Sequence, residues 1–184
     1  MEAIDKTKFL SLYRDEWGEP KQPAKDGLLF LLQSLEQDET ITDIRHAAYM
    51  LATVRHECQR TWRPIEEYGK GSGRKYGLPA KNGKVYYGRG YVQLTWAENY
   101  QAMGQALGVD LYGKPELACN PDIAYKIMSR GMRKGSFTGV KLSTYINGEE
   151  CDYPHARKII NGMDCAEMIA GYAVEFERML RQSI

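Results

Sequence analysis

The chain has 184 residues, of which 43 % are apolar and 27 % charged, with a formal net charge of +1. That length suits a single domain with its own core, and the composition excludes a disordered or fibrous chain. The near-zero charge argues against nucleic acid or an anionic membrane as a partner, since both are recognised through strongly basic fields.

The first twenty residues, "MEAIDKTKFLSLYRDEWGEP", lack the basic start and apolar run of a signal peptide. No stretch of about eighteen apolar residues offers a membrane span. The expectation is synthesis in the cytoplasm without a secretion signal, and no stable membrane insertion. Residues 5–17 and 25–38 read as helices, the second too apolar ("DGLLFLLQSLEQ") for a free surface segment. Thr42 is a candidate cap for a third helix, in which Ile44, Ala47, Ala48, Leu51 and Val54 form a buried stripe. Glu57 ends that helix about 120° from the centre of the stripe, at its flank. The negative end of the helix macrodipole there disfavours a charged carboxylate.

The segment "RHECQRTWRPIEEYG" (55–69) then carries Glu57, Glu66 and Glu67 around Trp62. Residues 69–85 hold five glycines and a proline and read as a mobile loop or a short hairpin around "KNGK". "YYGRGYVQLTWAENY" (86–100) leads into a helix through about residue 107. Asn120 and Gly135 bracket a further helix as cap and stop, and Asp164 with Glu167 forms a D-x-x-E start for the last one. Strand signals are confined to the loop region, so the domain is mostly α.

Metal and nucleophile chemistry find little support. His56–Glu57 opens like H-E-x-x-H, but position 60 is Arg, and His46 and His155 have no ligand spacing to it. All three histidines are expected in structural or hydrogen-bonding roles, with no metal and no cofactor. The four cysteines, Cys58, Cys119, Cys151 and Cys165, are widely spaced without C-x-x-C and are expected as unpaired, small apolar residues. No phosphate-cradling loop or G-x-S-x-G elbow occurs.

Paired carboxylates fit better. A glycosidic bond is broken by one carboxylic acid that protonates the leaving oxygen and a second carboxylate that attacks or activates water. The acid needs an enclosed setting and the base a wetter one. Glu57 at a helix end and Glu66 beyond the helix-breaking Pro64 offer two settings from one segment, although solvated surface charges explain that pair equally well by itself. Tyr87, Gln93, Thr95 and Asn99, clustered after glycines, add the amides, hydroxyls and aromatic faces that a saccharide requires. Asn161, in "RKIINGMD", is either a further ligand or a turn residue.

Together these segments resemble glycoside hydrolase family 19, the chitinase-type, lysozyme-like family, and in particular its compact phage endolysin and prophage members. The matching pieces are "RHE" at 55–57, Glu66 nine residues on, "YYGRGYVQLTW" at 86–96 with "NY" at 99–100, and "IING" at 159–162. The resemblance implies a mainly α, two-lobed, lysozyme-like single domain over 1–184, with a small loop or hairpin region near 69–88. It implies Glu57 as general acid, Glu66 as general base, and Thr95 as a holder of the attacking water. Tyr87, Gln93, Asn99 and Asn161 would line the sugar groove. Inversion follows, with carboxyls roughly 6.5–9.5 Å apart.

Three departures mark the match. Glu98 stands where plant chitinases carry tyrosine, and the plant-type disulfide cysteines are missing. Arg178 is the candidate for the arginine that plant members bring from their C-terminal helix, and Glu67 rivals Glu66 as base. Peptidoglycan is the expected substrate, cut by a monomer acting at the bacterial cell wall or periplasm, with a separate pore-forming partner for export. The alternatives are a chitinase acting on N-acetylglucosamine polymers, or a non-catalytic carbohydrate-binding or tail-associated module.

Overall fold

A computed structural model describes residues 2–184. Helix α1 (Lys6–Trp17) starts where Asp5 accepts a hydrogen bond from the Lys8 N–H and stops at Gly18. Helix α2 (Gln22–Gln37) begins three residues earlier than its apolar run suggests, because Pro23 is at home in a first turn. Helix α3 (Ile44–Glu57) is capped by Asp43, whose carboxylate accepts from the Arg45 N–H, and not by Thr42. Asp43 also holds the Arg45 guanidinium at 2.6 Å, and Arg45 reaches on to the Asn147 carbonyl.

The amphipathic stripe expected of α3 understates its position. Every residue from Ala47 to Arg55 is buried, so α3 is the central helix of the core. Helix α8 (Ala166–Ser183) lies along it, and α1 and α7 (Tyr153–Ala156) pack against α8. Between them Phe9, Tyr13, Trp17, Trp62 and Phe176 form an aromatic cluster of edge and stacked contacts. Trp62 is fully buried there, and its indole N–H donates to the Tyr13 hydroxyl at 3.1 Å. Helix α2 presses on the same segment at Gly27, where an added Cβ would fall 2.2 Å from the Trp62 carbonyl oxygen. The link between Glu57 and Glu66 is thus gripped at its midpoint.

The loop region departs from the expected hairpin around "KNGK". The paired strands lie outside it, at β1 (Ile65–Glu66) and β2 (Arg89–Gly90), antiparallel with Ile65 opposite Gly90 and Glu66 opposite Arg89. Residues 80–84 form only a tight turn, Gly83 donating to the Ala80 carbonyl at 2.8 Å. Gly90 has φ +90°, and a Cβ there would sit 2.8 Å from the Ala118 carbonyl, so this corner requires glycine.

Helix α4 (Ala97–Leu107) follows the motif as expected. In α5 (Pro121–Lys134) Asn120 accepts from the Asp122 and Ile123 N–H groups, and Gly135 closes the helix in the left-handed region. Helix α6 (Leu142–Tyr145) is a single turn. The D-x-x-E start of α8 does not form: Cys165 occupies the cap position at φ +56°, without a side-chain cap. The neighbouring Asp164 instead offers its carbonyl to Arg157, as described below.

Candidate active site

Glu57 is the last residue of α3, and the chain reverses immediately beyond it. Gln59, Arg60 and Trp62 all have positive φ, an accumulation of left-handed non-glycine residues that only surrounding packing sustains. Gln93 and Trp96 show the same strain on the facing segment. The turn is stitched to the hairpin by Cys58, whose buried thiol lies 3.8 and 3.6 Å from the Gly90 and Tyr91 carbonyls. Burial pushes that thiol well above the ordinary cysteine range, so it stays a neutral packing group.

The Glu57 side chain is only 16 % exposed, and its Oε1 accepts from Arg157 Nη1 at 2.6 Å. The Arg157 guanidinium is itself buried, with Nε donating to the Asp164 carbonyl at 2.9 Å. The helix-end argument made from the sequence therefore lacked its main neighbour, a buried cation arriving from 100 residues along the chain. Arg178, the arginine suggested by the C-terminal helix, does not reach the site: it pairs with Glu175 and Glu16 on the surface. Asn161 is exposed four residues beyond Arg157. Its N–H bonds to the Arg157 carbonyl, and its side chain accepts from the Gly162 N–H.

Glu66 has a different setting. On the short strand β1, with its side chain 39 % exposed, it accepts from the Tyr87 hydroxyl at 2.8 Å and faces Lys70 at 3.4 Å and Arg89 at 3.5 Å. Partial burial works to raise its pKa, but the Tyr87 hydrogen bond and the Lys70 and Arg89 charges outweigh it and hold the carboxyl below the ordinary glutamate range. Arg89 is buried 3.6 Å above the Tyr87 ring and donates to the Val85 carbonyl and the Tyr100 hydroxyl. Tyr100 in turn donates to the Tyr87 carbonyl at 2.7 Å.

Glu67 is engaged elsewhere. It accepts from the Gly88 N–H at 3.0 Å and the Tyr76 hydroxyl at 2.8 Å, which fastens the glycine-rich loop to β2.

The remaining polar candidates form one relay along the "QLTWAEN" segment. Gln93 donates to the Ile65 and Gly90 carbonyls, each at 3.1 Å, bracing the strand that carries Glu66. The Thr95 hydroxyl donates to the Gln93 carbonyl at 2.8 Å, and the exposed Asn99 donates to the Thr95 carbonyl at 2.8 Å. The two tryptophans near the motifs separate cleanly. Trp62 is core, whereas Trp96 is 45 % exposed and meets Tyr76 edge-on at 5.3 Å.

The family model of glycoside hydrolase family 19, described as chitinase class I, matches residues 45–130. A bacterial family 19 chitinase of solved structure is 25 % identical and superposes with a TM-score of 0.67, covering 97 % of this chain and 95 % of that one. Over residues 45–130 the chain matches glycoside hydrolase family 19, and it has the fold of that family's chitinases. Chitinase C from Streptomyces griseus HUT6037 shares the fold, with a TM-score of 0.68 at 23 % identity over 97 % of this chain and 77 % of its own. Among curated relatives, one Arabidopsis thaliana endochitinase is 47 % identical over 60 residues, which are 32 % of this chain and 22 % of that protein. Another is 34 % identical over 136 residues, 70 % of this chain and 48 % of its own length. The chain spans half or less of the length of these curated relatives, and the family match at 45–130 includes both Glu57 and Glu66.

Sequence reasoning missed Arg157. Its one signal was position: it lies two residues before the "IING" stretch (159–162) that resembles family 19. All four cysteines are unpaired; Cys58 is fully buried, as a small apolar residue would be, whereas Cys151 and Cys165 are exposed. His46 bonds to the Ile146 carbonyl and His155 to Asp152, both structural as expected.

Proposed function

We propose that this chain hydrolyses β-1,4 bonds next to an N-acetylated sugar, with inversion. The reading is carried by two carboxylates in opposite settings within the family-matched segment, Glu57 enclosed against Arg157 and Glu66 half-exposed and held ionised. Glu57 donates the proton to the leaving glycosidic oxygen. Arg157 occupies its Oε1 and leaves Oε2 to face the ligand, which makes Arg157 a positioning residue. Glu66 takes the proton of a water that attacks the opposite face of the ring. Thr95, whose own proton is committed to the Gln93 carbonyl, has lone pairs free to accept from that water. Tyr87 keeps Glu66 aimed and ionised, Gln93 and Asn99 brace the groove wall, and Trp96 with Tyr76 supplies an aromatic face on which a sugar stacks. Asn161 offers its amide beside Arg157.

The relatives' names, all endochitinases, put chitin-type N-acetylglucosamine polymers first as substrate. Peptidoglycan, placed first by the resemblance to phage lysins, shares the link and the N-acetyl group and is the second substrate to test. The experiment is reducing-end release from chitin oligosaccharides and from purified cell wall, with NMR of the first product anomer. The α anomer is expected, and Glu57→Gln should abolish release while remaining folded. Equal release by wild type and Glu57→Gln, or a β product, would overturn the assignment.

A further inference from the structure

Three potential metal donors converge at the junction of α3 and α8. The His56 imidazole, the Asp164 carboxylate and the Cys165 thiol all lie within 4.8 Å of one another, His56 half-buried and the other two exposed. They come from two distant stretches of sequence, so no ligand spacing announces them. Each sits on a rigid support: His56 in the last turn of α3, Asp164 anchored through its carbonyl to the buried Arg157, and Cys165 at the cap of α8. The hydrogen bonding that holds Arg157 uses only the backbone of Asp164, which leaves all three side chains available. The Met168 thioether, exposed one turn into α8, lines with His56 and Gln59 a cleft of about 390 Å³.

We propose that this trio is a site for a thiophilic divalent cation, with Zn²⁺ as the reference ion. One thiolate, one imidazole and one carboxylate form a borderline-soft set that suits Zn²⁺ and Co²⁺ and is poorly matched to Mg²⁺ or Ca²⁺. Zinc bonds of about 2.0–2.3 Å place ligand atoms roughly 3.3–3.8 Å apart, so the exposed Asp164 and Cys165 side chains need swing by only about 1 Å. Binding forms the metal–sulfur, metal–nitrogen and metal–oxygen bonds and releases the thiol proton to solvent. A fourth position stays open to water. The bound ion ties the end of α3 to the start of α8, on either side of the Glu57–Arg157 pair. The inference does not depend on the proposed glycosidase activity.

The test is titration of the full chain with Co²⁺ and then Zn²⁺ under a non-thiol reductant. A thiolate-to-cobalt charge-transfer band is expected, bleached by one equivalent of Zn²⁺. The band should vanish in Cys165→Ser, weaken at least about tenfold in affinity in His56→Ala, and persist in Cys151→Ser, the other exposed cysteine. Zn²⁺ at about ten times its Kd should raise Tm by roughly 3–6 °C in wild type and leave Cys165→Ser unmoved. Since Cys165 is exposed, Cys165→Ser should fold, as its Tm without metal will show. The proposal is overturned if folded wild type shows no band, if the band survives Cys165→Ser, or if His56→Ala binds as tightly as wild type.

Discussion

Glu57 and Glu66 stand nine residues apart in the chain, and their surroundings are built in different ways. Glu57 ends a fourteen-residue buried helix and meets its partner, Arg157, only through tertiary packing. Glu66 sits on a two-residue strand, and its partners Lys70, Tyr87 and Arg89 all belong to the loop and hairpin that the strand helps close. The first site is enclosed and rigid, with one cation at 2.6 Å and little water to screen it. The second is wet and adjustable, and its electrostatics are divided among several weaker contacts. An acid that must hold one orientation and a base that must stay ionised beside water call for that division. The difference teaches that equal residue types within one segment gain unlike chemistry from what packs on each.

The contrast can be broken most forcefully at Glu57. Glu57→Gln should lower kcat by about 10²–10⁴-fold with little change in Tm, the size expected of a lost general acid. Comparable loss in Glu66→Gln but not in Glu67→Gln would separate the two adjacent carboxyls, since Glu67 serves the loop through Gly88 and Tyr76. Steady-state rates on a soluble N-acetylglucosamine oligomer decide this.

Next in size is Arg157→Ala. Removing one partner of a buried pair leaves the other charge unmatched, a cost of about 3–5 kcal/mol. At this chain length that corresponds to a Tm fall of roughly 6–20 °C by calorimetry. Arg178→Ala, which loses only surface pairs, should move Tm by much less.

Tyr87→Phe sharpens the base side. It removes the hydroxyl donor but keeps the ring under Arg89, so the fold should hold. Because the folded pKa of Glu66 lies below its ordinary value of 4.5, its contribution to stability is present above 4.5 and is lost as pH falls through the lower folded value. With Glu66 as base, the acidic limb of the kcat/KM profile should lie below 4.5 in wild type and shift upward in Tyr87→Phe. A limb that stays in place would remove Tyr87 from the role assigned to it.

The smallest effect belongs to Lys70→Ala. Its side chain is 66 % exposed, so stability should change by less than about 0.5 kcal/mol. Any upward shift of the acidic limb should fade in high salt.

Much of the frame was legible because it is local. Hydrophobic periodicity placed α3 and ended it at Glu57, and Asn120, Pro121 and Gly135 marked the limits of α5. Legibility failed where a longer-range partner competed. Asp164 reads as a cap, yet its segment is drawn to Arg157, and Cys165 takes the cap position. The "KNGK" turn reads as a hairpin, yet the ladder closes between strands outside it, where Glu67 and Gln93 supply the bonds that fix the register.

Residue order alone therefore determined the longer helices, the carboxylates and the "YYGRGYVQLTW" motif, because propensity, capping and periodicity act over a few residues. Only the tertiary structure decided that Arg157 holds Glu57, that Glu67 fastens a loop, and that His56 meets Asp164 and Cys165. A buried charge is matched by whichever partner the packing brings within 3 Å, and that partner has no fixed distance along the chain.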